Sequence, residues 1–87
     1  TDAELAHLHL LAAYSASLTR LTRAMSRLEP RPGCHRALRV QAMRTAYDQV
    51  LLLAAAELEI VTDLQPPLGS ADRIALEAEL SVAGLRW

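Results

Sequence analysis

Apolar residues recur along the first third of the chain at alternating steps of three and four: Leu11, Tyr14, Leu18, Leu21, Met25 and Leu28. A row of this period, near 3.5 residues, lies along one side of a helix and suits helices packed side by side at a shallow angle. Arg20, Arg23 and Arg27 fall on the opposite side. Thr1 and Glu4 have capping-box spacing, in which each side chain satisfies the other residue's free backbone N–H. The pattern predicts a helix over 2–28.

A second row follows: Val40, Met43, Tyr47, Val50, Ala54 and Val61, flanked by Leu51 and Leu58 on one side and by Leu53 and Ile60 on the other. Only a narrow strip stays polar or small, through Gln41, Ala42, Asp48, Gln49, Ala55, Ala56, Thr62 and Asp63. A helix apolar over most of its circumference touches more than one neighbour, so a helix over 33–64 is the expected central element. The breaks on either side are "EPRPG" at 29–33 and "QPPLGS" at 65–70. Proline removes a backbone donor and clashes with the preceding turn, and glycine admits positive φ.

A third helix is expected over 71–83, with Ser70 as N-cap, Asp72 in the first turn and Gly84 as the stop. It carries two apolar rows, Ile74, Ala78, Val82 and Leu85 on one side and Leu76, Leu80 and Ala83 nearly opposite. Two rows imply two contacts. The expected fold is a single all-α domain over 1–87, an antiparallel three-helix bundle of two long helices forming a hairpin and one shorter helix. Starting beside the end of helix 2, the third helix reaches back over about half of the hairpin, whose helices are roughly 40 Å or longer. The apolar residues left over predict completion by a homodimer, with Leu21, Met25, Leu28, Leu38, Met43, Tyr47, Leu76 and Leu80 at its interface.

Composition strengthens this. The chain has 87 residues, 52% hydrophobic but only 3% aromatic, which favours Ala- and Leu-built helices over a β-sandwich. A domain this small has a marginal core, and its one cysteine, Cys34, cannot pair within the chain, so self-association is the remaining common remedy. A lone cysteine also fits a reducing cytoplasm. No stretch approaches the ~20 apolar residues that span a bilayer, and no basic segment precedes an apolar one as in a signal peptide.

Charge adds polarity. Arg20, Arg23, Arg27, Arg31, Arg36, Arg39 and Arg44 lie in residues 20–44 with Glu29 as the one acid, although the net charge is −1. In an antiparallel hairpin these arginines share one pole, a candidate surface for an anion or a protein partner. Lys, Asn and Phe are absent, so codon composition alone accounts for arginine in place of lysine. Nucleic acid is disfavoured: pI is about 6.2, no recognisable motif is present, and no aromatic interleaves the arginines for stacking.

Chemistry is sparse. His7 and His9 point to different sides of a helix, and Cys34 and His35 lie at the other pole, so no metal site and no cofactor are expected. Glu57 falls on the apolar seam, where pairing with an Arg or His, or a place at the wet edge of the core, is expected rather than general-base chemistry. Trp87 is expected to pack under the hairpin's basic pole or onto an arginine as a cation–π contact, with an exposed anchor for a partner as the alternative. The function expected first is a non-enzymatic helical interaction or assembly module that self-associates and binds a protein partner. The alternative is a small regulator binding nucleic acid or another polyanion through the Arg20–Arg44 pole. The third is a small helical enzyme with its site at a dimer seam.

Overall fold

The structure is a computed structural model that describes residues 1–27 and 34–87, the side chains of 34–36 excepted. Three helices appear and no strand is found among the described residues: α1 (Asp2–Ser26), α2 (Cys34–Glu57) and α3 (Ser70–Val82). The "EPRPG" break, Leu28, Arg31 and the Arg36 side chain fall outside the described residues. Among the described residues, no helix is long and apolar enough to cross a membrane.

α1 starts with the expected capping box, in which Thr1 Oγ1 accepts from Glu4 N–H and the Glu4 carboxylate takes the Thr1 amine. His7 near its start meets Glu57 at the end of α2, so α1 and α2 are antiparallel. α2 is the central element, packed against both α1 and α3. Leu18, Tyr47, Leu51, Ala54, Ala55, Leu68, Leu76, Leu80 and Leu85 form the buried core. Leu11, Tyr14, Leu21 and Met25 pack half-buried against it.

The end of α2 corrects the expectation. The helix stops at Glu57 rather than Leu64. Ile60 N–H bonds Ala55 O at 2.8 Å and Glu59 N–H bonds Ala56 O at 3.1 Å, with Glu59 at φ 59°. This is the Schellman closure, which caps carbonyls that the helix leaves unpaired and needs one residue in the left-handed region. Here a glutamate occupies the place where glycine is usual.

The early stop frees residues 58–69 as an irregular segment. A chain of this length reaches up to about 40 Å when extended. It runs back along α2, so that Leu68 N–H bonds Asp48 and Gly69 and Ser70 line a cleft with Gln41, Arg44 and Thr45. α3 then begins beside the N-terminal half of α2, and its last turn lies near Ile60. It advances in the general direction of α2 rather than back along it, which corrects the antiparallel placement of the third helix. α3 ends in a second Schellman closure, with Leu85 N–H on Leu80 O at 3.0 Å and Gly84 at φ 105°. Gly84 is the stop the sequence signals.

Candidate functional site

The most elaborate polar arrangement is buried and joins α2 to α3. Asp48, fully buried, accepts from Leu68 N–H (2.9 Å), from Arg73 Nε (2.6 Å) and from Arg73 Nη2 (2.8 Å). Arg73 Nη2 also donates to Leu68 O at 3.0 Å. Burial pushes the Asp48 carboxyl up, but the Arg73 and Leu68 hydrogen bonds outweigh it and hold the group below its usual value. Next to it, the Tyr47 hydroxyl donates to Glu77 and accepts from Trp87 Nε1 at 3.2 Å. Burial, then the bond to Glu77, raises the Tyr47 hydroxyl well above its usual value. Every buried donor and acceptor in this cluster has a partner, so its role is to fix α3 and residues 84–87 on α2. The sequence pattern places Asp48 on the polar strip and suggests no role for Arg73. The legible signal is that Asp48 is the one acid in α2 before its last residue and lies beside the apolar seam, where a buried carboxylate needs a cation.

At the open end of the hairpin, His7 Nδ1 and Glu57 Oε1 lie 2.7 Å apart. Glu57 therefore has a histidine partner at the partly wet edge of the core. Trp87 is half-buried against the core and donates to the Tyr47 hydroxyl at the middle of α2. Among the described residues, no group of three metal-capable side chains converges.

The predicted arginine pole is spread rather than focused. Arg20, Arg23, Arg27, Arg39 and Arg44 are all exposed. Arg44 lines an open cleft of about 780 Å³ between α2 and the start of α3, together with Arg73, Ser70 and Thr45. Arg73 is already engaged by Asp48, and Thr45 Oγ1 donates to Gln41 O at 3.0 Å.

The predicted interface residues separate into three groups. Tyr47, Leu76 and Leu80 are buried within the chain itself, because α3 lays its Leu76/Leu80 row on α2. Leu21, Met25 and Met43 are half-buried along the hairpin, and Leu38 is exposed. Leu28 lies outside the described residues. Among the described residues two apolar surfaces stand out as uncovered, apart from the exposed Leu5, Leu8, Leu38 and Val61. One is the outer row of α3, Ile74, Ala78 and Val82, of which Val82 is 89% exposed. The other is the hairpin face away from α3. At about 100° per residue, Asp48, Leu51 and Ala55 point toward α3, while Ala42, Ala46, Gln49, Leu53 and Ala56 point the other way. On α1, Ser15 bonds the Arg86 carbonyl on the α3 side, and Ala3, Ala6, Leu10, Ala13, Ser17 and Ala24 fall on the far side. Leu10 is 42% and Leu53 51% exposed there.

Comparison with protein-family models, with curated proteins and with solved structures finds no match for this chain.

Proposed function

We propose that the protein is a non-enzymatic helical interaction and assembly module that self-associates and binds a protein partner. The observation that supports this is the pair of uncovered apolar surfaces. Together they hold Leu10, Leu53, Ile74 and Val82 in water, on a chain whose buried apolar core among the described residues is nine side chains. Exposed aliphatic rows on successive helical turns of a small domain mark contact surfaces more often than they mark accident. The polar clusters work in the opposite sense. Asp48, Tyr47, Arg73 and Glu77 are committed to one another, which leaves no poised acid, base or nucleophile in a closed pocket among the described residues. A reducing, cytoplasmic setting suits the lone Cys34.

Light scattering across a dilution series tests the reading. A mass of about two chains or more at micromolar concentration is expected. A single-chain mass up to the highest soluble concentration overturns it.

The exposed arginines support a second reading, a small regulator that binds a polyanion at that pole. Heparin or duplex DNA binding that weakens steeply with salt is then expected. No binding at low salt removes it.

A further inference from the structure

We infer that the occupant of the hairpin face away from α3 is a second copy of the chain laid antiparallel, with α1 on α1, α2 on α2 and the poles exchanged. The inference rests on self-association and deepens it by naming the surface and the direction.

The face has a charge plan. On α2 its uncharged stretch, Ala42, Ala46, Gln49, Leu53 and Ala56, is bounded by Arg39 at one end and Glu57 at the other. The two charges stand roughly 27 Å apart at ~1.5 Å per residue. On α1 the facing stretch from Ala3 to Ala24 carries one charged side chain, Arg20, at its margin toward the basic end, where Nη2 donates to Ser17 Oγ at 3.0 Å. Around the face, the basic end of the hairpin bears Arg20, Arg23, Arg27 and Arg39. The open end bears Asp2, Glu4, Glu57 and Glu59. The molecule is elongated, 51 Å by 23 Å by 17 Å, so its two ends present separate fields.

A partner for this face must be apolar in the middle, acidic where the chain is basic and basic where it is acidic. The chain itself meets all three conditions when turned end for end. A two-fold axis crossing the hairpin near Gln49 and Ser17 brings Arg39 of one copy to Glu57 of the other, twice, as an isologous contact requires. The small side chains at Ala42, Ala46 and Ala56 let the paired helices approach closely, with Leu53 filling the space between them. The other two-fold arrangement keeps the poles together and sets arginine against arginine, so charge selects the exchanged one.

The test uses the whole chain with Cys34→Ser as background. Gln49→Cys lies near the proposed axis, on the exposed face, and is expected to form a disulfide-linked dimer under mild oxidation without denaturant. Thr22→Cys, on the opposite side of α1, is expected to stay uncrosslinked. Leu53→Glu is expected to halve the mass seen by light scattering while leaving the circular dichroism helix signal unchanged. Val82→Glu is expected to leave the mass unchanged. Raising salt from 0.05 to 0.5 M, which shortens the screening length several-fold, is expected to weaken the dimer. A single-chain mass at all concentrations defeats both this inference and self-association. A dimer that Gln49→Cys fails to link, or that Val82→Glu rather than Leu53→Glu dissociates, defeats this inference alone. So does a dimer that strengthens with salt.

Discussion

Arg73→Ala is the substitution whose outcome the structure constrains most tightly. Asp48 is fully buried, and the Arg73 side chain is 18% exposed. Removing the guanidinium takes two hydrogen bonds from a carboxylate that has no access to water. Leu68 N–H and the field of Arg44 are left as its compensation. Breaking a buried pair from one side costs about 3–5 kcal/mol, because the remaining charge stays desolvated. Against a total stability of about 5–15 kcal/mol this is a large share. At ~4–8 °C per kcal/mol for a domain of this size, the melting temperature is expected to fall by at least about 12 °C.

The pH dependence makes the argument specific. In the native chain the Asp48 pKa is depressed, so its contribution is present above the unfolded value of about 3.9 and is lost as pH falls through the folded value. Without Arg73, burial dominates and the folded pKa rises above the unfolded one. Protonation then favours the folded state of the variant. The cost of Arg73→Ala is therefore expected to be largest near pH 7 and to shrink on acidification toward pH 4. Urea unfolding followed by circular dichroism, at one protein concentration and several pH values, measures this directly. The double variant Asp48→Ala/Arg73→Ala is expected to cost less than the sum of the two singles. A cost for Arg73→Ala below about 1 kcal/mol, or one that does not change with pH, refutes the reasoning.

Three further outcomes rest on named contacts. Tyr47→Phe keeps the ring but removes the hydroxyl shared by Glu77 and Trp87, and is expected to cost about 1–2 kcal/mol and to shift Trp87 fluorescence. Because the Tyr47 pKa is raised, its contribution is intact below the unfolded tyrosine value of about 10 and is lost as pH rises beyond it. Alkaline melting scans are expected to show this loss in the native chain and a smaller one in Tyr47→Phe. Glu59→Gly is expected to raise stability by roughly 0.5–1 kcal/mol in denaturant titration, since glycine relieves the left-handed strain at that position. Leu80→Ala opens a cavity between α2 and α3 and is expected to cost about 2–5 kcal/mol by the same measurement.

The two Schellman closures show which features were legible in the sequence and which were not. At Gly84 the residue type announces the backbone it adopts, and the end of α3 is read correctly. At Glu59 the same hydrogen-bond pattern forms around a residue with no such preference. The closure is stabilised by the residues after it, since Ile60 and Leu64 pack on the core. Periodicity carries the helix on to Leu64 because Val61 continues the apolar row and no breaker stands before "QPPLGS"; only tertiary packing ends it earlier. That single misplaced stop moves α3. A helix ending at 64 delivers the next one to the open end of the hairpin, whereas a helix ending at 57 leaves enough chain to start α3 beside Gln41–Thr45.

α3 itself poses a second problem that hydropathy could not solve. Its two rows are evident in the sequence, but the row turned inward includes Arg73 and Glu77 beside Leu76 and Leu80, and the row turned outward is the aliphatic one. The choice is made by α2, which offers Asp48 and Tyr47 as partners for the charged residues. Burying a matched pair while leaving Ile74 and Val82 in water gains little for an isolated chain, since buried ion pairs seldom improve on an apolar core. What such an arrangement does supply is a fixed orientation for α3. With that orientation fixed, the hairpin face and the α3 row point in different directions. One chain can then present two separate apolar surfaces, the first being the proposed contact with its own copy.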